Sequence, residues 1–131
     1  IYLKIYNLPK LITQKLKNDP VTEHIPIILF EKNPKKNITD IVFKSLSCIS
    51  LHWNSDIRIL SESLKNDIAI QGNLDPRVLT KSDEIIQEEV RKICSIMKNY
   101  PGFIFNLGHG ITPDIKPSKV EVMIKAIRED M

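Results

Sequence analysis

With 131 residues, 42% of them hydrophobic and 27% charged, the chain is at most one ordinary domain with enough apolar content for a real core. No apolar run approaches the roughly 18 residues that a bilayer span needs, and no basic stretch followed by a purely apolar one marks a signal peptide. The net charge of +3 comes from scattered lysines (Lys4, Lys10, Lys15, Lys17, Lys35, Lys36, Lys65, Lys81, Lys119) without interleaved aromatics, which disfavours a nucleic-acid interface but is compatible with an anionic small ligand.

Leu8, Leu11, Ile12 and Leu16 predict a helix within residues 1–19, stopped by Asn18-Asp19-Pro20. Pro26 to Phe30 is a continuous apolar run, expected to be a strand buried on both faces of a parallel sheet. A turn at Glu31 to Pro34 and a short helix from Asn37 to Leu46 follow. Cys48 to Trp53 reads as a second strand and Ser55 to Leu64 as a helix with Ile57, Leu60 and Leu64 inward. Asp67 to Gln71 is the third strand, closed by a tight turn at Gly72-Asn73, and Asp75-Pro76 suits the start of a turn or helix. Ser82 is the expected cap of a helix reaching about Asn99, with Ile86, Val90, Ile93 and Met97 on its apolar stripe. Gly102 to Leu107 is the fourth strand. After Pro117, Ser118 and Glu121 have the spacing of a capping box, followed by Val120, Met123, Ile124 and Ile127 on the inner stripe of a last helix.

The order α-βα-βα-βα-βα specifies an α/β fold with a parallel sheet and right-handed crossovers. Four βα units are half of an eight-fold barrel or a small open doubly wound sheet, and pattern alone does not choose between them. In both, ligand sites lie at the C-terminal ends of the strands: Phe30-Glu31-Lys32, His52-Trp53, Gln71-Gly72-Asn73 and Asn106-Gly108-His109.

The last of these carries the most chemistry. Phe103-Ile104-Phe105 leads into Asn106-Leu107-Gly108-His109-Gly110-Ile111, so an apolar strand ends in a histidine between two glycines. Such an imidazole can donate, accept or carry charge near neutral pH. The glycines match no phosphate-loop pattern. The candidate metal ligands His24, His52, His109, Cys48 and Cys94 lack paired zinc spacing, and no nucleophile elbow is present. Cys48 and Cys94 sit in apolar patterns and read as buried reduced thiols, which points to a reducing cytosol. The chain begins with Ile1 and not Met, so it is expected to be a piece of something longer.

Two strings, Ile70-Gln71-Gly72-Asn73-Leu74-Asp75-Pro76 and Phe103 to Ile111, separated by one helix, resemble the C-terminal part of the uroporphyrinogen decarboxylase family. Ile25 to Lys32 looks like the family's preceding strand, and the resemblance runs over most of the chain. It implies the C-terminal half of a (β/α)₈ TIM-type barrel, about four parallel βα units, with residues 1–131 as one partial domain whose N-terminal half is absent. The family works as a cytosolic homodimer without cofactor or metal. Its substrate is an anionic porphyrinogen: it decarboxylates the four acetate side chains of uroporphyrinogen to give coproporphyrinogen in haem biosynthesis. On this resemblance His109 is the catalytic residue, set against substrate carboxylates or in a proton path. Asn106, Gly108 and Gly110 shape the substrate-binding rim around it.

The sequence departs from the family pattern in three places. Asn33 stands for a glycine, His52 for the aspartate before the tryptophan that matches Trp53, and Pro117-Ser118-Lys119 displaces an acidic residue. The family's substrate-binding arginines, pyrrole-gripping aspartate and catalytic tyrosine belong to the N-terminal half, so the isolated chain is expected to be inactive. Related barrels that carry out corrinoid-linked methyl transfer with zinc have cysteine where this chain has His109, which disfavours that alternative. A further alternative is a non-catalytic half-barrel that dimerises through its open sheet edges.

Overall fold

Short runs of Ile, Leu and Phe prefer the pleated surface of a sheet, and four of them form one here. The computed structural model describes residues 8–32, 45–64 and 67–131. Within these, β1 (Ile28–Glu31), β2 (Cys48–Leu51), β3 (Ala69–Leu74) and β4 (Phe103–Leu107) make one sheet in the order β1-β2-β3-β4. Every neighbouring pair is parallel. Strand order follows chain order without reversal, as in a segment of a barrel; a doubly wound sheet would reverse at a switch point. The choice left open by the pattern is thereby made.

The helices are α1 (Leu8–Lys17), α2 (Ile57–Leu64), α3 (Asp83–Met97) and α4 (Pro117–Asp130), with a 3₁₀ turn at Pro76–Thr80. Register places Leu29, Ile49, Ile70 and Phe103 on one face of the sheet and Phe30, Ser50, Gln71 and Ile104 on the other. The first face carries the core. Ile49, Leu51 and Ile70 pack there with Ile57 and Leu64 of α2 and Met97 of α3. Leu74, Leu79, Ile86 and Val90 continue it toward Ala126 of α4. Each fully buried Ile or Leu contributes roughly 1.5–3 kcal/mol relative to exposure. Tyr100 closes this layer below, its hydroxyl donating to the Ile68 carbonyl at 2.7 Å.

Burial on both faces, expected for the first strand, does not hold. Ile28 and Phe30 are 51% and 45% exposed, and Ile104 on β4 is 44% exposed. The helices cover one face, while the other stands half-open at the two outer strands. α1 likewise buries only Thr13; Leu8, Leu11, Ile12 and Leu16 form the expected stripe but remain exposed.

Several boundaries shift for local reasons. β3 does not close at Gly72-Asn73 but runs through both to Leu74, and the turn begins at Asp75, which caps the 3₁₀ segment with Pro76 in its first turn. β2 ends at Leu51, and the Asp56 carboxylate accepts from the Arg58 and Ile59 amides to start α2. Ser82 does occupy the N-cap of α3, although its hydroxyl makes no capping bond. The expected capping box of α4 is absent: Lys116 is the N-cap, and Ser118 lies inside the first turn. Val120, Met123 and Ile127 face inward on α4 as expected, but Ile124 is exposed, and Val122 and Ala126 share the packed face instead. The turn at Asn33-Pro34 and most of the helix expected over Asn37–Leu46 lie outside the described residues.

Candidate functional site

The strand ends converge because two glycines remove the side chains that would hold them apart. Gly108 donates its N–H to the Leu74 carbonyl at 2.8 Å, adding a rung beyond β4. It is buried against Trp53, and a Cβ there would collide with the Trp53 backbone nitrogen and lie 2.6 Å from its Cα. Gly72 has φ 142°, and a Cβ on it would lie 3.2 Å from the Leu51 carbonyl oxygen. The ends of β2, β3 and β4 are thus drawn together at one rim.

His109 follows directly. Its ring is exposed and held edge-on between two others. The Phe30 ring lies 6.4 Å away at 82°, and the His52 ring 6.0 Å away at 89°. His109 Nδ1 accepts the Gly110 N–H at 2.8 Å. A neutral imidazole with Nδ1 as acceptor carries its proton on Nε2.

His52 is fixed from three directions. Its Nδ1 accepts the Asn54 N–H at 3.2 Å, the i to i+2 bond that an aspartate oxygen makes at the same position. Its carbonyl accepts from Asn73 Nδ2 at 3.2 Å, and its ring packs on Trp53 at 5.0 Å. Asn73 Nδ2 also donates to the Ser55 carbonyl at 2.8 Å, so one buried amide ties β3 to the turn after β2.

Outside this pair, Asp75 grips Arg77. The guanidinium donates through Nε at 3.0 Å and through its terminal nitrogen at 2.7 Å, while the Arg77 N–H is held at 2.9 Å. The Arg77 Cζ sits 4.1 Å above the Trp53 ring. Partial burial pushes the Asp75 carboxyl up, but hydrogen bonds and charge from Arg77 outweigh it and hold the group below its ordinary value.

The open face and this rim enclose a cleft of about 470 Å³, lined by Phe30, Ser50, Gln71, Asn106, His109 and Gly110, with Ile28, Leu107 and Ile111 as its apolar wall. Gln71 Nε2 donates to Ser50 Oγ at 3.0 Å across its floor. Asn106 Oδ1 accepts from the Leu107 N–H at 2.8 Å, which leaves its amide N–H groups as donors. Such a cleft sets a few N–H donors beside apolar and aromatic surface, the mixture that small-molecule sites use.

Of the residues singled out from sequence, His109, Asn106 and Gly110 line the cleft together. Gly108 does not; it lies beneath, against Trp53. Sequence reading missed Ser50, whose signal was its place on the same face as Gln71. It also missed Arg77, which no spacing distinguishes from a surface arginine. Among the described residues, no three His, Cys, Asp or Glu side chains group as metal ligands. No described helix is long and apolar enough to cross a membrane.

Residues 6–130 match the family model described as Uroporphyrinogen decarboxylase (URO-D). The chain belongs to the uroporphyrinogen decarboxylase family. A uroporphyrinogen decarboxylase of Vesicomyosocius okutanii is 37% identical over 123 residues, which cover 94% of this chain and 35% of that protein. Those of Magnetococcus marinus and Methylococcus capsulatus are 39% and 41% identical, covering 82% and 80% of this chain and 30% of each relative. The chain therefore spans about a third of the length of the uroporphyrinogen decarboxylases it matches. The four-stranded parallel sheet is what a segment of that family's barrel requires.

Proposed function

We propose that this chain is the C-terminal part of an enzyme that decarboxylates uroporphyrinogen to coproporphyrinogen. The observation that carries the reading is His109 and Asn106 side by side on one cleft at the C-terminal ends of the strands. Relatives named uroporphyrinogen decarboxylase, matched over most of the chain, support that choice of substrate.

Each acetate substituent must lose CO₂ and become a methyl group. Breaking the bond from methylene to carboxylate leaves an electron pair, and a pyrrole protonated at carbon accepts it. The exocyclic methylene is then protonated and the ring carbon releases its proton, so each turn consumes one proton and frees one CO₂. In this reading His109 is the catalytic residue. It donates to a substrate carboxylate through Nε2 or passes the proton, while Asn106 binds a neighbouring carboxylate through its amide. Gly110 leaves room at the mouth and Gly108 fixes the strand end that carries His109. The remaining wall, which grips the pyrrole N–H groups, belongs to the rest of the polypeptide. No cofactor is required, and the complete protein works in the cytoplasm as a homodimer.

The test is turnover of uroporphyrinogen by the full-length polypeptide carrying this segment. Coproporphyrinogen is expected from the parent protein, formation at least about 10²-fold slower from His109→Gln, and none from the 131-residue chain alone. No conversion by the full-length parent would overturn the reading. Unchanged rates in His109→Gln would remove His109 from the chemistry.

A second reading, a non-catalytic half-barrel that dimerises, is favoured by the half-exposed Ile28, Phe30 and Ile104 on the outer strands. Light scattering on the 131-residue chain tests it: a discrete dimer supports it, and aggregation rejects it.

A further inference from the structure

We propose that His52 is a positioning residue for His109, holding its imidazole in the orientation and tautomer in which Nε2–H is the donor offered to the cleft. Three observations carry this. The two rings meet edge to face, with centroids 6.0 Å apart and planes at 89°. His52 itself is only 9% exposed, and both its ring and its carbonyl are tied down, by the Asn54 N–H and by Asn73 Nδ2. His109, in contrast, is exposed on a turn, and its ring is tied by the short bond from Gly110 N–H to Nδ1.

An exposed imidazole on such a turn rotates freely about χ1 and χ2 unless packing restricts it. Here Phe30 from β1 and His52, the first residue after β2, stand on it edge-on. Phe30 is itself 45% exposed, so His52 is the rigid one of the two walls. With the ring so held, Nδ1 keeps the Gly110 amide, the neutral ring carries its proton on Nε2, and a carboxylate meets a preoriented donor. Without the His52 ring, Nδ1 and Nε2 exchange places by rotation, and the donor presented to the cleft is no longer single. His52 acts through His109 and touches no reacting atom.

The inference rests on His109 belonging to the ligand site, yet its first readout does not need turnover. Long-range ¹H–¹⁵N correlations of the histidine side chains, recorded on the full-length polypeptide, report which ring nitrogen of His109 is protonated. A single Nε2–H signature is expected in the parent protein. His52→Asn keeps an acceptor for the Asn54 amide but removes the ring, so its His109 signature is expected to move toward a mixture of tautomers. His52→Phe keeps the ring edge and is expected to retain the parent signature. Where the full-length protein turns over substrate, kcat in His52→Asn is expected to fall about tenfold with KM changed less than twofold, and His52→Phe to recover most of it. An unchanged His109 signature in folded His52→Asn would overturn the proposal. If that variant does not fold, loss of the signature in His52→Phe would overturn it instead. An altered signature in a protein that never decarboxylates uroporphyrinogen would leave the His52–His109 coupling standing and reject the substrate assignment alone.

Discussion

Gly108 lies so close to Trp53 that a methyl group on it would come within 2.7 Å of the tryptophan Cβ and closer still to its backbone. The neighbouring atoms are main chain, held by a turn whose Ser55 N–H bonds the His52 carbonyl at 2.9 Å, and they have little freedom to withdraw. Gly108→Ala is therefore expected to destabilise the protein by about 1–3 kcal/mol or more, read as a lower urea midpoint. Gly110 has nothing within 4 Å of its notional Cβ, so Gly110→Ala should stay within about 0.5 kcal/mol of the parent. Equal effects of the two changes would show that the glycines serve the chain's conformation and not its packing.

Asn73 is 6% exposed and donates to two carbonyls, those of His52 and Ser55. Asn73→Ala leaves both acceptors without this donor, at a cost of about 1–3 kcal/mol. Asn73→Asp should cost more at neutral pH, because a carboxylate would face two carbonyl oxygens. Thermal unfolding of the two variants checks the order; an aspartate variant as stable as the parent would show that Asn73 is not the tie between β3 and the turn.

Asp75 gives the rim an acid sensitivity with a definite sign. Arg77 holds its folded-state pKa below the ordinary value of 3.8, so the unfolded chain binds the proton more readily. The stabilisation is present in full above the ordinary aspartate range. It is lost as pH falls from about 4 through the lower folded-state value. Asp75→Asn should be less stable than the parent at neutral pH, and the difference should shrink on acidification below about pH 4. A difference independent of pH would place the effect in the capping bond to the Arg77 amide alone.

The thiols offer a check on burial. Cys48 is 3% and Cys94 1% exposed, and burial pushes both thiols above their ordinary pKa; Asp130 adds to the effect at Cys94. Neither should react with an aromatic disulfide reagent at pH 8 while the protein is folded, and both should react at once in denaturant. Rapid labelling of Cys48 under native conditions would mean that the sheet opens locally.

The alternation of strands and helices was legible from residues alone, because short Ile-, Leu- and Phe-rich runs and 3.6-residue stripes are local properties. So was the rim: Gln71 to Asp75 and Asn106 to Gly110 each end a strand, and parallel topology puts strand ends on one side. Local rules failed where one element leans on another. Gly72-Asn73 looks like a turn, yet pairing with Phe105 and Asn106 keeps both in β3. Ser118 and Glu121 have the spacing of a cap, but Pro117 had already opened the helix after Lys116.

What the sequence determined, then, was the four strands, the α-helices among the described residues and the presence of a histidine at the end of the last strand, since periodicity and glycine placement act over a few residues. Tertiary structure alone decided that the sheet runs in order without reversal, that Gly108 packs beneath the site rather than lining it, and that His52 stands edge-on to His109. Those relations join residues some 57 positions apart in the numbering, from His52 to His109, through strand register. No single stretch of chain encodes a register; it is set when β2, β3 and β4 pack together on the helices.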